Sequence, residues 1–91
     1  MMNLEYLAKD LRMKPEVLLK ESIEVFLNRK LRVIESELFV MAKRYGVTSV
    51  TEFDKMVKEG RFHEEDAFED YFKFDNLEAE REQILNHLEK L

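Results

Sequence analysis

Apolar positions along residues 15–45, PEVLLKESIEVFLNRKLRVIESELFVMAKRY, set the frame for the whole chain. Leu27, Leu31, Ile34, Leu38, Met41 and Tyr45 follow one another in alternating steps of four and three, which puts them on one helical face. No glycine and no internal proline interrupts the run. Pro15 stands at a first-turn position, where its missing N–H leaves nothing unpaired. Gly46 stands where a left-handed residue closes a helix. The spacing predicts one continuous helix over 15–45, roughly 46 Å long at about 1.5 Å per residue. A rod of that length needs partners, either later helices or a second copy. Leu19, Phe26, Val33 and Val40 form a second row that recurs every seven residues. The two rows span an arc of about 160°, wider than the seam of a two-stranded coil. Leu18, Val25 and Phe39 lie outside even that arc. The expected assembly is a helical-bundle homodimer, with Leu27, Leu31, Ile34, Leu38 and Met41 at the dimer interface.

The flanking patterns predict three further helices. Asn3 is a good N-cap for LEYLAKDLR, in which Leu4, Leu7, Ala8 and Leu11 share a face. Lys14 is a boundary, because the residue before a proline is pushed out of the α region. Ser49 and Glu52 have the spacing of a capping box, which starts a helix over about 50–59 that stops at Gly60. Its buried face should be Val50, Phe53, Met56 and Val57, with Val47 packed on Phe53. Residues 77–91 repeat Leu77, Ile84 and Leu91 at seven, with Leu85 and Leu88 alongside and Arg81 interrupting the seam. This last helix is able to continue back into the preceding acidic segment and to lie along the central rod. The fold class is therefore all-α, in a single domain over 1–91. Residues 1–45 form its dimerising part and residues 46–91 a partner-binding part.

Length and composition narrow the function. A chain of 91 residues buries only roughly two-thirds of its unfolded surface, so dimerisation would help it. There is no cysteine, which excludes disulfides and thiolate metal sites. No apolar run suits a signal peptide or a membrane span, so a soluble, cytoplasmic protein is expected. Charged residues make up 38% of the chain beside a single glutamine, Gln83, a composition that leans towards a thermophilic source. Charge is uneven along the chain. Residues 1–45 carry nine Lys/Arg against seven Asp/Glu, net +2, and residues 46–91 carry six against thirteen, net −7. That asymmetry fits either separate partners for the two halves or attraction between them.

Residues 61–76, RFHEEDAFEDYFKFDN, concentrate the candidate chemistry. Glu64, Glu65, Asp66, Glu69 and Asp70 place five carboxylates in seven residues, interleaved with Phe62, Phe68, Tyr71, Phe72 and Phe74. Acids that steer an encounter and aromatics that anchor it suit docking onto a basic protein surface. Phe68, Glu69, Asp70, Tyr71 and Phe72 are the candidate partner-binding residues. The alternative is aromatics packed inward and acids favoured by a helix N-terminus. Arg29, Lys30 and Arg32 are the candidate nucleic-acid contacts, against the plainer reading of a solvated helix face. Lys43 and Arg44 suit the helix C-terminus that they occupy. His63 with Asp66, and Glu65 with Glu69, are one-turn pairs without the second-helix ligands that a di-metal bundle needs. With no glycine-rich phosphate loop and no nucleophile–base pattern, neither catalytic residues nor a cofactor is expected.

Two resemblances bear on function. LEYLAKDLRMKPEVLLKESIEVFLNRKL resembles the two-helix part of ribbon-helix-helix proteins over about a third of the chain. Leu7, Ala8 and Leu11 match the first helix and Met13 the apolar turn residue. Leu18, Leu19, Ile23, Phe26 and Leu27 match the second helix, with Ser22 at a position where a small residue is usual. The resemblance implies dimerisation and DNA binding, but only Met1, Met2 and Asn3 precede the first helix where such proteins carry a base-reading strand. Arg12 also replaces the usual turn glycine. LAKDLRMKPEV fits the start of a helix-turn-helix too, yet Val17, Leu18 and Leu19 are apolar where a recognition helix needs polar, reaching side chains. The second half, YGVTSVTEF and then EEDAFEDYFKFDNLEAEREQILNHLEKL, is similar to small archaeal and bacterial proteins encoded beside a toxin gene. That similarity implies an antitoxin-like, non-enzymatic role with a small basic protein as partner. The other expectations are a DNA-binding regulator of ribbon-helix-helix ancestry and a helical scaffold without a ligand.

Overall fold

A computed structural model describes residues 3–60 and 65–91, with the side chains of the last helix described from Phe68 onward. Four helices follow in order: α1 (Leu4–Asp10), α2 (Pro15–Tyr45), α3 (Val50–Lys58) and α4 (Glu65–Glu89). All regular structure among the described residues is helical, as expected.

Local chemistry fixes the ends. Asn3 Oδ1 accepts from the Glu5 and Tyr6 amides at 2.9 and 3.3 Å, capping α1. At the other end of α1, Met13 N–H donates to Ala8 O at 2.8 Å and Arg12 N–H to Lys9 O at 3.1 Å, the paired bonds of a Schellman turn. That turn forces Arg12 to φ 58, the left-handed region that glycine usually fills. Gly46 closes α2 in the same region at φ 66. Ser49 Oγ accepts from Glu52 N–H at 3.1 Å, as the capping pattern predicts. The reciprocal arm lands one residue earlier than expected. Glu52 Oε2 accepts from the Thr48 amide at 3.0 Å and from the Thr48 hydroxyl at 2.7 Å. Those two bonds hold the Glu52 carboxyl below the usual range.

α4 runs antiparallel to α2, and three ion pairs set its register. Arg44 meets Asp70 at 3.2 Å, Glu35 meets Arg81 at 3.3 Å and Lys30 meets Glu80 at 3.9 Å. Arg81, which breaks the apolar seam in sequence, thus reaches across to α2. The core cluster is Ile34, Met41, Val47, Phe53, Phe74, Leu77 and Ile84, joining α2, α3, α4 and the α2–α3 loop. Phe53 is fully buried at its centre, with ring centroids of Tyr45, Tyr71 and Phe74 at 4.5, 5.7 and 6.1 Å. Val47 and Phe53 share this cluster, as the staple spacing anticipates.

The molecule measures 60 × 24 × 17 Å, with a radius of gyration of 19.0 Å against about 12 Å for a compact chain of this length. No helix is long and apolar enough to cross a membrane, among the described residues.

Arg12 and Gly46, both left-handed at a helix end, make a matched test. A non-glycine residue pays about 1–2 kcal/mol there. Arg12→Gly should therefore raise stability by about 1 kcal/mol. Gly46→Ala should lower it by a similar amount, because a Cβ at Gly46 meets nothing within 4 Å and only the backbone conformation is strained. Urea unfolding followed by circular dichroism checks both, and equal signs for the two variants would contradict the backbone account.

Candidate partner-binding face

Sequence reasoning treats residues 68–72 as one docking patch, and the helix divides it. Phe68, Glu69 and Phe72 are exposed on the outer side of α4, with Phe72 at 61%. Asp70 and Tyr71 turn inward. Asp70 Oδ2 accepts from Arg44 Nη1 at 3.2 Å and from the Tyr45 hydroxyl, tying the start of α4 to the end of α2. Tyr71 sets its ring edge against Phe53. A hydrogen bond to the Asp54 carboxylate pushes the Tyr71 hydroxyl up, while Lys58, at 3.0 Å from Asp54, holds that carboxyl below its usual range. Asp70 and Tyr71 therefore clamp α4 in place, and Phe68, Glu69 and Phe72 are the part offered outward. The ring of Phe72 lies 5.4 Å from that of Tyr71, edge to face, so the clamp also orients the exposed aromatic. Phe62, His63 and Glu64, and with them the His63–Asp66 pair, lie outside the described residues. Among the described residues, no three His, Asp or Glu side chains converge in a way that could hold a metal ion.

The row expected at a dimer interface is engaged within the chain itself. Ile34 and Met41 are buried in the chain's own core, and Leu27, Leu31 and Leu38 pack against that core. The physical reason is the length of α4. It runs for 25 residues, continuing back through the acidic segment, long enough to cover that row within the same chain. The row left uncovered is the other one: Leu19, Phe26, Val33 and Val40 are all exposed.

The three basic candidates also divide. Lys30 is engaged by Glu80, whereas Arg29 and Arg32 are exposed and have no carboxylate partner among the described residues. Arg29 shares a groove with Val25 and Phe26, and Arg32 shares another with Phe39 and Val40, so both lie along apolar side chains. Lys43 lies 5.6 Å from the Phe39 ring centroid, a cation–π contact on the same outer side of α2.

The Asp70 clamp has a pH signature. Burial first, and then the hydrogen bond to Asp70, raise the Tyr45 hydroxyl to about 12. A raised folded-state pKa favours the protonated form, so this contribution is fully present below pH 10 and is lost as pH rises from 10 through 12. Wild type should lose stability over that interval faster than Tyr45→Phe, which has no proton to release. Urea midpoints at pH 8, 10 and 11.5 measure the difference, and parallel curves for the two proteins would contradict it.

No curated protein and no solved structure matches the chain. One family description does, over residues 1–91. With its full length matched, the chain belongs to the family described as the Uncharacterized protein MJ0235 family.

Proposed function

We propose that this chain is a non-enzymatic, antitoxin-like protein-interaction module. Its long helix supports self-association, and the outward side of α4 takes a small basic protein. The observation that carries the reading is the exposure of Phe68 and Phe72 beside Glu69 on a helix clamped by Asp70 and Tyr71. Exposed aromatics on a fixed scaffold lose little side-chain freedom on binding, so they are efficient anchors. The neighbouring carboxylate adds steering for a cationic partner and disfavours an anionic one. The net charge of −7 over residues 46–91 extends that preference beyond the patch.

The nucleic-acid reading rests on Arg29, Lys30 and Arg32. It is the weaker one, because Lys30 is paired with Glu80 and the two arginines border apolar side chains. Were it the function, DNA affinity would fall steeply with salt and with substitution of Arg29 or Arg32. A scaffold without any ligand is the outcome if self-association alone is ever observed.

The division of the patch gives the test. Glu69→Lys with Phe72→Ala should leave the melting temperature near wild type and abolish capture of a stoichiometric, nuclease-resistant basic protein in pull-downs from native lysate. Asp70→Lys should instead lower the melting temperature by several degrees, because it places a cation against Arg44. Mass spectrometry of the captured material and a thermal scan read both. Equal capture by wild type and by the outward double variant would remove α4 as the docking face.

A further inference from the structure

Burial is concentrated at one end of the molecule. Among the described residues, seven of the eight buried apolar residues lie between Ile34 and Ile84 and form one core cluster. The eighth, Ala8, is the only described one among the first 33 residues, and it sits outside that cluster. Meanwhile Leu4, Leu11, Val17, Leu19, Ile23, Val25 and Phe26 are all exposed. The ion-pair register accounts for this. Extended along the helix, it brings the last residue of α4 level with about Val25 of α2. Residues 15–24 therefore project past α4 and, among the described residues, have only α1 packed beside them.

The projecting part is self-complementary. A groove of about 440 Å³ on α2 is lined by apolar Leu18, Val25 and Phe26, by the small Ser22, and by the opposite charges Glu21 and Arg29, eight residues apart on the helix. We propose that its occupant is the same groove of a second copy, with the two α2 helices crossing antiparallel at Val25 and Phe26. That arrangement sets Ser22 of one copy level with Arg29 of the other, so each Arg29 reaches the opposing Glu21. Phe26 of each copy packs over the small Ser22 and the Val25 of its mate. A parallel arrangement would instead oppose Glu21 to Glu21 and Arg29 to Arg29, which like charges disfavour. Size points the same way. Val17, Leu19, Ile23, Val25, Phe26, Val33, Phe39 and Val40 are all exposed along α2, a longer run of uncovered apolar side chains than the singly scattered ones ordinary on a monomer surface. With α1 flanking each α2, the two projecting ends close into a four-helix bundle that supplies the core each end lacks. This interface rests on the self-association part of the proposed function. It uses neither the expected row of Leu27, Leu31, Ile34, Leu38 and Met41 nor the outward side of α4.

The experiment is the oligomeric state of the full chain by sedimentation equilibrium over a hundredfold concentration range. Wild type should be a dimer. Phe26→Glu should weaken dimerisation at least about a hundredfold, since it removes two buried rings and opposes two charges, while helicity is retained. Phe68→Ala with Phe72→Ala should leave the dimer unchanged, so failure of this interface and failure of the α4 docking face read out separately. Orientation is decided by oxidation, which the absence of native cysteine makes unambiguous. Val25→Cys should form a covalent dimer and Phe39→Cys should not. A monomeric wild type, a dimer indifferent to Phe26→Glu, or equal cross-linking at both positions would overturn the proposal. Cross-linking also decides the matter if Phe26→Glu fails to fold.

Discussion

The structure depends on the burial of one ring. Phe53 enters from α3 and fills the space where the end of α2 meets the start of α4, ringed by Tyr45, Tyr71 and Phe74. α3 is nine residues long, too short to be stable alone in water. It persists because Ser49 and the Thr48–Glu52 pair fix its start and because Phe53 exchanges water for three aromatic neighbours, worth about 1.5–3 kcal/mol in transfer alone. Without that wedge, α2 and α4 would have only a single interhelical layer between them. With it, their antiparallel register is set at one end and carried along by the Arg44–Asp70 and Glu35–Arg81 pairs. Those pairs are exposed or nearly so and contribute little energy each, and their role is to choose among registers rather than to supply stability.

Fixing one end leaves the other bare. Because α2 is longer than α4, closing the pair at Phe53 pushes the mismatch to the start of α2. α1 is seven residues long and buries Ala8 alone of its described side chains. A chain of this size has little stability to spare, on the order of 0.05–0.15 kcal/mol per residue, and an uncovered apolar end gives up part of the burial that it could draw on. The elongated shape and the bare end are thus two expressions of the same length difference.

Most of the architecture was legible in the sequence. The four-and-three spacing, Pro15, Gly46, Asn3 and Ser49 locate α1, α2 and α3 to within two residues of their observed ends. The start of α4 was not fixed, because acidic and aromatic residues over 61–76 obscure the period that Leu77 and Ile84 make plain. Stepping back from Leu88 through Ile84, Arg81, Leu77 and Phe74 by threes and fours lands on Tyr71 and Asp70, the two residues that turn out to face inward. The signal was present, and composition concealed it: five neighbouring residues of docking character read as one patch when helical period had already split them. With the start of α4 open, the sequence does not decide whether α4 or a second copy covers the Leu27–Met41 row, and the 25-residue α4 covers it within the chain.

The split also explains how a residue inside an acidic segment can be structural. Asp70 is surrounded in sequence by acids, where an added negative charge is costly, yet in space it sits between the Arg44 guanidinium and the Tyr45 hydroxyl at the C-terminal end of α2. Arg44 on its own would be favoured there by the helix dipole. Joining Asp70 to it ties the two helices together and leaves Glu69, one residue away, to face water. Neighbouring carboxylates are thereby divided between fold and surface by a rotation of about 100°, so the charge of the segment as a whole says little about what any one of its acids does.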